Sequence, residues 1–461
     1  MPCTVKKIQP RNFGSQLKII ASCEECDFTS SWYSQPKVGN LFAGNILLSA
    51  AVVLAGGSPT KIVKVFRHMN LMGISYATFM EHQGTYLQPA VVQVFNKHQE
   101  ALFAHYRANG KGLTLGGDGR SDSPGHSAKY GSYTLMELSE NKVLDVELVQ
   151  VTEVANSNAM ELEGLHRGLT KLKEADIPIE NIVTDRHPQI AKYLRENHPD
   201  INHYYDVWHI AKGIKKKIKA LGKMKDCELA KEWQRSLINH IYWAANSTQD
   251  GDGELIKAKY ECSLNHIRNI HSGHGRKYPT CSHGTEHPDR EWMKAGSKVY
   301  KKLSDIMLRP RLVNDVGKMS PFGQTSKVEA FHNVLLHWCP KLVSYSYQGM
   351  KCRLYVAVLH WNENGDRPQA TDREGNPIYT IKYPRSKEGG YTVEKVLTPT
   401  TYGYVTTLMQ EVLDLVANRR KISGELEELQ PQPARCASFE RPDKMEAIAA
   451  YEQHHRFAPA D

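Results

Sequence analysis

The chain lacks a hydrophobic run long enough to cross a membrane. Its longest apolar stretch, residues 41–54, is interrupted by Asn45 and Ser49, and its first ten residues contain no apolar segment of the secretory type. Cysteine is also scarce, with nine thiols, an odd number, in 461 residues. In a long chain of this kind, thiols are expected to be reduced or bound to metal. We therefore expect an intracellular protein with no membrane partner.

Acidic residues are fewer than basic ones. Lys and Arg number 59 against 50 Asp and Glu, so the formal net charge is +9. This excess favours a polyanionic partner without requiring one. Hydrophobic residues at 40% and charged residues at 24% are typical of globular proteins, and the length suffices for two or three domains.

Residues 1–40 are polar and predicted to be irregular, and they contain one C-x-x-C pair, Cys23 and Cys26. Two thiolates at that spacing can form half of a tetrahedral zinc site. No second pair follows, so a zinc-binding N-terminal segment and a segment with reduced cysteines both remain open.

Residues 41–108 are predicted to be a helical domain. The turn at residues 56–60 separates an apolar helix from a short basic one at 61–69, an order that resembles a helix-turn-helix. An ordinary helical bundle with a solvated basic face fits the pattern equally well.

From residue 109 the apolar periodicity changes to that of an α/β domain. Strands are expected at 113–117, 128–138, 142–151, 179–184 and 203–208, with helices at 158–174, at 188–197 and from 210. The right-handed crossover rule allows the strand at 179–184 to lie parallel to and beside the strand at 113–117. We predict a mixed five-stranded sheet flanked by helices.

Two aspartates end the strands that this crossover would bring together. Asp118 lies in a Gly-Gly-Asp-Gly segment, where glycines allow close approach, and Asp185 follows the strand at 179–184. Glu329 begins a later amphipathic helix at 325–338. Three converging carboxylates suit a pair of Mg²⁺ or Mn²⁺ ions, because hard cations prefer oxygen ligands. Asp122 is an additional candidate.

Each of these residues also has an ordinary interpretation. Asp118 could belong to a turn, Asp185 could form a surface ion pair with Arg186, and Glu329 could cap its helix.

Four segments together resemble a known family. They are GGDGRSDSPGHSAKYGSY at 116–133, VTDRHPQI at 183–190, YYDVWH at 204–209 and TSKVEAFHN at 325–333. The set is similar to the DDE transposases of eukaryotic cut-and-paste DNA elements, most of all the Kolobok and Mutator-like group, whose catalytic domain is ribonuclease H-like. The resemblance spans about residues 40–365.

The resemblance implies a catalytic triad of Asp118, Asp185 and Glu329, with Asp206 and His209 as an accessory D-x-x-H element. It implies Mg²⁺-dependent cleavage of double-stranded DNA and strand transfer between transposon ends and target, in the nucleus. A homodimer or higher oligomer is a further expectation. The alternative is a domesticated, non-catalytic DNA-binding protein that retains the fold.

The resemblance also suggests a division of the remaining chain. Residues 109–222 would form the first part of the catalytic core, 223–324 an insertion, and 325–365 the glutamate helix and the helix after it. Residues 366–461 are expected to be a linker and tail, apart from an amphipathic stretch at 406–421.

Two further residue sets could bind ligands. Histidines and a cysteine in the insertion, including His266 and His287, could bind zinc or could be surface residues. With the N-terminal pair, the zinc candidates are Cys23, Cys26, His271, His274, Cys281 and His283. The candidates for DNA-backbone contacts, or for a merely solvated helix face, are Lys212, Lys215, Lys216, Lys217 and Lys219.

Overall fold

The N-terminal segment is β-structure, so the prediction of an irregular segment was wrong. The computed structural model describes residues 7–124, 127–283, 290–387, 389–420, 422, 424–430, 432 and 442–454. An antiparallel sheet comprises β1 (Lys7–Phe13), β2 (Gln16–Ser22) and β3 (Thr29–Tyr33), and β4 (Lys37–Val38) pairs with β5 (Leu41–Phe42). Strands β1 and β3 are largely solvated, so they lack the apolar alternation that marks a strand in sequence.

Four helices follow, as the sequence predicted for this region. They are α1 (Ala43–Leu54), α2 (Pro59–His68), α3 (Tyr76–His82) and α4 (Gln88–Asn109). Helix α4 lies against the rest of the core, where Phe95 stacks on Tyr355 with ring centroids 3.7 Å apart. Helix α2 buries none of its residues. Its assignment to a helix-turn-helix stays a prediction.

The predicted mixed five-stranded sheet flanked by helices is confirmed. Its strands are β6 (Leu113–Ser121), β7 (Tyr130–Glu137), β8 (Lys142–Gln150), β9 (Ile179–Thr184) and β10 (Asn202–Tyr205). Their order is β10-β9-β6-β7-β8, with β6, β9 and β10 parallel and β7 and β8 antiparallel to their neighbours. The crossover between β8 and β9 therefore places β9 beside β6.

Two strand ends differ from the prediction. Strand β6 continues through Asp118 to Ser121, because pairing with β7 extends beyond the pairing with β9. Strand β10 ends at Tyr205, and Asp206 is the N-cap of the next helix, so the predicted strand at 206–208 was wrong.

Helices cover both faces of the sheet. The crossovers contain α5 (Ala159–Glu174) and α6 (Pro188–Asn197), and α7 (Val207–Leu221) follows β10. Helix α5 buries Leu165, Leu169 and Leu172 at helical spacing against the face that carries Leu115 and Leu135.

The insertion and α7 together form a second hydrophobic core. The helices of the insertion are α8 (Leu229–Asn246), α9 (Gly253–His266), α10 (Lys298–Met307) and α11 (Pro310–Val316). The largest side chains of that core with less than 2% exposure are Trp233 and Tyr260.

The opposite face of the central sheet packs against the C-terminal part of the chain. The elements are α12 (Ser326–Leu335), α13 (Tyr347–Asn364), an exposed hairpin of β11 (Tyr379–Lys382) and β12 (Thr392–Lys395), α14 (Gly403–Ala417) and α15 (Lys444–His454). Leu408 and Val412 of α14 are fully buried in the core that contains α1, α4 and α13. Residues 403–417 are thus core rather than tail.

None of the described helices combines the length and the apolar character that crossing a bilayer requires.

Candidate active site

Asp118 and Asp185 occupy corresponding positions on neighbouring parallel strands. The pairing of β6 with β9 runs to Gly116 and Val183, and each aspartate lies two residues further along its strand direction. The register therefore brings both to one edge of the sheet, as the sequence predicted. A carboxylate oxygen of Asp185 accepts a hydrogen bond of 3.0 Å from the backbone N–H of His187.

The glycines around Asp118 make room for side chains of the protein itself. A Cβ atom on Gly119 would lie 2.6 Å from Cγ of Glu161, and one on Gly117 would lie 2.5 Å from the hydroxyl oxygen of Tyr133. Both distances are too short for real contacts. Glu161 and Tyr133 can therefore approach Asp118 only because these two positions carry no side chain.

Glu161 is a third carboxylate, and the charges of both aspartates affect its protonation. Burial, followed by the charges of Asp185 and Asp118, raises the pKa of Glu161 to about 8. Burial and the charges of the same three carboxylates also raise the pKa of Tyr133, whose buried hydroxyl has no hydrogen-bond partner in the described part of the chain. Sequence reasoning missed Glu161, although an acid in the first turn of the crossover helix was visible.

Helix α12 contacts Asp118 through His332. The Nδ1 atom of His332 lies 3.4 Å from Oδ2 of Asp118, and its Nε2 atom lies 3.1 Å from the hydroxyl of Thr134. Glu329 precedes His332 by three residues, so both lie on neighbouring turns of one helix face. Sequence reasoning did not identify His332 as a site residue, because nothing local distinguishes it from a surface histidine.

Asp118, Asp185 and Glu329 do not form a compact set in the described part of the chain. Among the described residues, Asp118, Asp185 and Glu329 form no group whose ligand atoms all lie within 4.8 Å of one another. Two oxygens bound to one Mg²⁺ are at most about 4.2 Å apart, because each bond is about 2.1 Å long. All three carboxylates therefore cannot bind one ion in this conformation.

Asp206 and His209 connect the sheet to α12. A carboxylate oxygen of Asp206 accepts a 2.9 Å hydrogen bond from the backbone of Trp208, and the other lies 3.2 Å from Nδ1 of His209 and 2.5 Å from the hydroxyl of Thr325. Burial raises the pKa of Asp206, but these hydrogen bonds outweigh burial, so its pKa lies below the ordinary value. Thr325 is the N-cap residue of α12, so Asp206 orients the helix that carries Glu329.

The charges of the two aspartates also affect the pKa of His209. Its hydrogen bond to Asp206 raises the pKa of His209 against the opposing effect of burial, and the charges of Asp185 and Asp118 add to the rise. We call the edge of the sheet that carries Asp118 and Asp185 the acidic edge. A protonated imidazole nearby offsets part of the negative charge of this edge.

The lysines of α7 all point to solvent. The buried face of α7 is formed by Val207, Ile210, Ile214 and Ile218. All five predicted lysines are exposed residues of this helix. Lys212 lies over the ring of Trp208, with Nζ 4.1 Å from the ring centroid. The other four lysines have no such ring contact among the described residues.

A basic cavity is lined by Arg186, the residue that follows Asp185. Its volume is about 630 Å³, and its charged lining residues are Arg186, Lys217, Arg309, Arg311 and Asp315. Arg186 pairs with Asp315 at 3.1 Å rather than with Asp185. The sequence identified only Lys217 of this set, since α11 reaches the cavity through tertiary packing.

The loop aspartate and the N-terminal cysteines have other surroundings. Asp122 accepts hydrogen bonds from the backbone of Lys129 and the hydroxyl of Ser123, at 3.1 and 3.2 Å, so it closes its own loop. Cys23 and Cys26 lie after β2 and belong to no group of three or more metal ligands among the described residues.

The insertion does gather metal-binding side chains. His266, His271, Cys281 and His283 have ligand atoms that all lie within 4.8 Å of one another. This set contains His266 in place of the predicted His274, whose Nε2 atom is 3.2 Å from Sγ of Cys281. The candidate His287 lies outside the described residues.

No protein-family model matches the chain, and no curated protein matches it significantly in sequence. The geometry and chemistry of the site therefore carry the functional argument.

Proposed function

We propose that the chain is a metal-dependent DNA phosphodiester enzyme of the cut-and-paste transposase type. The observation that carries the proposal is the placement of Asp118 and Asp185 at matching positions just beyond the paired part of parallel strands β6 and β9, with Glu161 close enough for both charges to raise its pKa. Such a concentration of carboxylates is unfavourable without a compensating cation.

The donor set suits Mg²⁺ or Mn²⁺. In the described part of the chain, neither Asp118, Asp185, Glu161 nor Glu329 forms an ion pair with a lysine or arginine. Oxygen-only ligands without a lysine or arginine partner are typical of sites for hard divalent cations. Two such ions, when bound, would activate the attacking oxygen and stabilise the leaving 3′-oxygen.

The residues divide into ligands and positioning groups. Asp118 and Asp185 are the proposed ligands shared by the site, and Glu329 is the ligand supplied by α12 after a side-chain or helix adjustment. Glu161 is a fourth ligand that is protonated at neutral pH until a cation offsets the neighbouring charges. Asp206, through Thr325, is a positioning residue for α12.

The basic cavity gives the DNA backbone a path to the carboxylates. Arg186 is adjacent in sequence to Asp185, and Lys217, Arg309 and Arg311 line the same cavity. Guanidinium groups bind phosphate oxygens in a fork geometry, and lysine adds a point charge. Binding of this kind is insensitive to base sequence and weakens with salt.

Cleavage assays test the proposal. The purified full-length protein should nick supercoiled DNA in Mg²⁺, and Asp118→Asn, Asp185→Asn and Glu329→Gln should each lower the rate by at least about 100-fold while DNA binding changes little. Glu180→Gln is the matched control, since Glu180 is an exposed carboxylate on β9 away from this edge. Equal nicking by wild type and the Asp118→Asn variant would refute the proposed site.

A second function is distinguished by the same assay. The lack of a compact group of Asp118, Asp185 and Glu329 among the described residues favours a DNA-binding protein that keeps the fold without catalysis. Salt-dependent DNA binding by the wild type, with no Mg²⁺- or Mn²⁺-dependent nicking, would support this function instead.

A further inference from the structure

The insertion contains a cluster of side chains that the proposed catalytic function does not use. We propose that His266, His271, Cys281 and His283 bind one structural zinc ion. The ligand atoms of these four residues all lie within 4.8 Å of one another. Three imidazole nitrogens and one thiolate form a donor set that prefers zinc to Mg²⁺ or Ca²⁺.

The measured separations fit tetrahedral coordination. Zinc bonds of about 2.0–2.1 Å to nitrogen and 2.3 Å to sulfur place tetrahedral ligand atoms roughly 3.3–3.6 Å apart. Nε2 of His283 lies 3.3 Å from Nδ1 of His266, and Sγ of Cys281 lies 3.8 Å from the same nitrogen. Both separations are within about 0.3 Å of the tetrahedral values, and the others are at most 4.8 Å.

The backbone presents the ligands from two different elements. His266 is the last residue of α9, whereas His271 and Cys281 stand at the two ends of a closed loop. The backbone N–H of Cys281 donates to the carbonyl of His271 at 2.9 Å, and Ser272 bridges to Thr280. An ion bound here would fasten that loop to the end of α9.

The residues around the four proposed ligands are of the kinds that support metal sites in proteins. The indole of Trp292 lies against the rings of His266 and His271, with centroids 6.0 and 5.8 Å away. Nε2 of His274, 3.2 Å from Sγ of Cys281, is positioned to donate a hydrogen bond to a thiolate. His274 is therefore a supporting residue rather than a ligand.

Zinc content of the full-length protein tests the proposal. We expect Cys281→Ser and His266→Asn each to contain one zinc ion fewer per chain than the wild type. Cys262→Ser is the matched control, because Cys262 lines one cavity together with His266, Cys281 and His283 but is outside the four-residue set. This variant should leave the zinc content unchanged. Equal zinc in wild type and Cys281→Ser, or loss of zinc in Cys262→Ser, would overturn the assigned ligands.

Cobalt substitution covers the case in which a ligand variant fails to fold. The test protein carries Cys23→Ser and Cys26→Ser, so that the N-terminal thiols cannot contribute. One equivalent of Co²⁺ added to the metal-free protein should produce the visible bands of a tetrahedral site and a thiolate charge-transfer band. A spectrum of octahedral, oxygen-bound Co²⁺ would refute the site, and neither test depends on nuclease activity.

Discussion

The hydroxyl of Thr325 donates a 2.5 Å hydrogen bond to the buried carboxylate of Asp206, and this contact ties the start of α12 to the start of α7. The two residues are 119 positions apart. Their contact sets the direction in which α12, with Glu329 and His332, approaches the acidic edge of the sheet.

We therefore expect Thr325→Val to be destabilising. The substitution removes a donor from a buried charged acceptor, which costs about 1–3 kcal/mol of the free energy of unfolding. Urea denaturation measures the change, and Thr325→Ser, which keeps the hydroxyl, should retain most of the stability. A valine variant as stable as the wild type would show that the contact does not anchor α12.

Glu161 should make stability depend on pH. The unfolded chain loses this proton at about pH 4.5, whereas burial, Asp185 and Asp118 hold the pKa in the folded chain at about 8. The folded state therefore binds more protons between these values, and the group's contribution to stability is fully present below pH 4.5 and is lost as pH rises towards 8.

Comparison with Glu161→Gln isolates this contribution. In EDTA, the melting temperature of the wild type should fall relative to that of the glutamine variant between pH 5 and pH 8. Addition of Mg²⁺ at pH 8 should reduce the difference if ions bind at the acidic edge. A difference in melting temperature that does not change with pH would show that the two aspartates do not raise the pKa of Glu161.

Gly119→Ala should disturb the contact with Glu161. The new Cβ atom would approach Cγ of Glu161 to 2.6 Å, so overpacking should cost about 1–3 kcal/mol. Glu161→Ser removes the group that clashes, so the double variant should lose less stability than the sum of the two single variants. Strict additivity in thermal or urea unfolding would contradict the packing argument.

The basic cavity should control the salt dependence of DNA binding. Each phosphate contact contributes a slope of about −0.9 to the dependence of log K on log salt for duplex DNA. Lys217→Gln and Arg311→Gln should each make that slope shallower by about one unit, as fluorescence anisotropy titrations would measure. Lys216→Gln is the control, since Lys216 is exposed on the same helix and does not line the cavity.

Much of the central fold follows from local patterns. Alternating apolar residues predict β7 and β8, helical spacing predicts α5, and the bounds of β9 and α6 agree with the prediction to the residue. The handedness of the crossover then suffices to bring Asp118 and Asp185 to one edge. The sequence did not predict β1 and β3, because these solvated strands bury too little apolar surface to show a period.

The sequence by itself determined the pairing of β9 with β6, the edge at which two aspartates meet and the excess of basic charge, because these depend on local periodicity, handedness and composition. Tertiary structure alone decided that Glu161 and His332 flank Asp118, that α11 lines the basic cavity and that His266, rather than His274, lies with His271, Cys281 and His283. Those contacts depend on how distant helices pack together, and neither periodicity nor spacing along the chain encodes that packing.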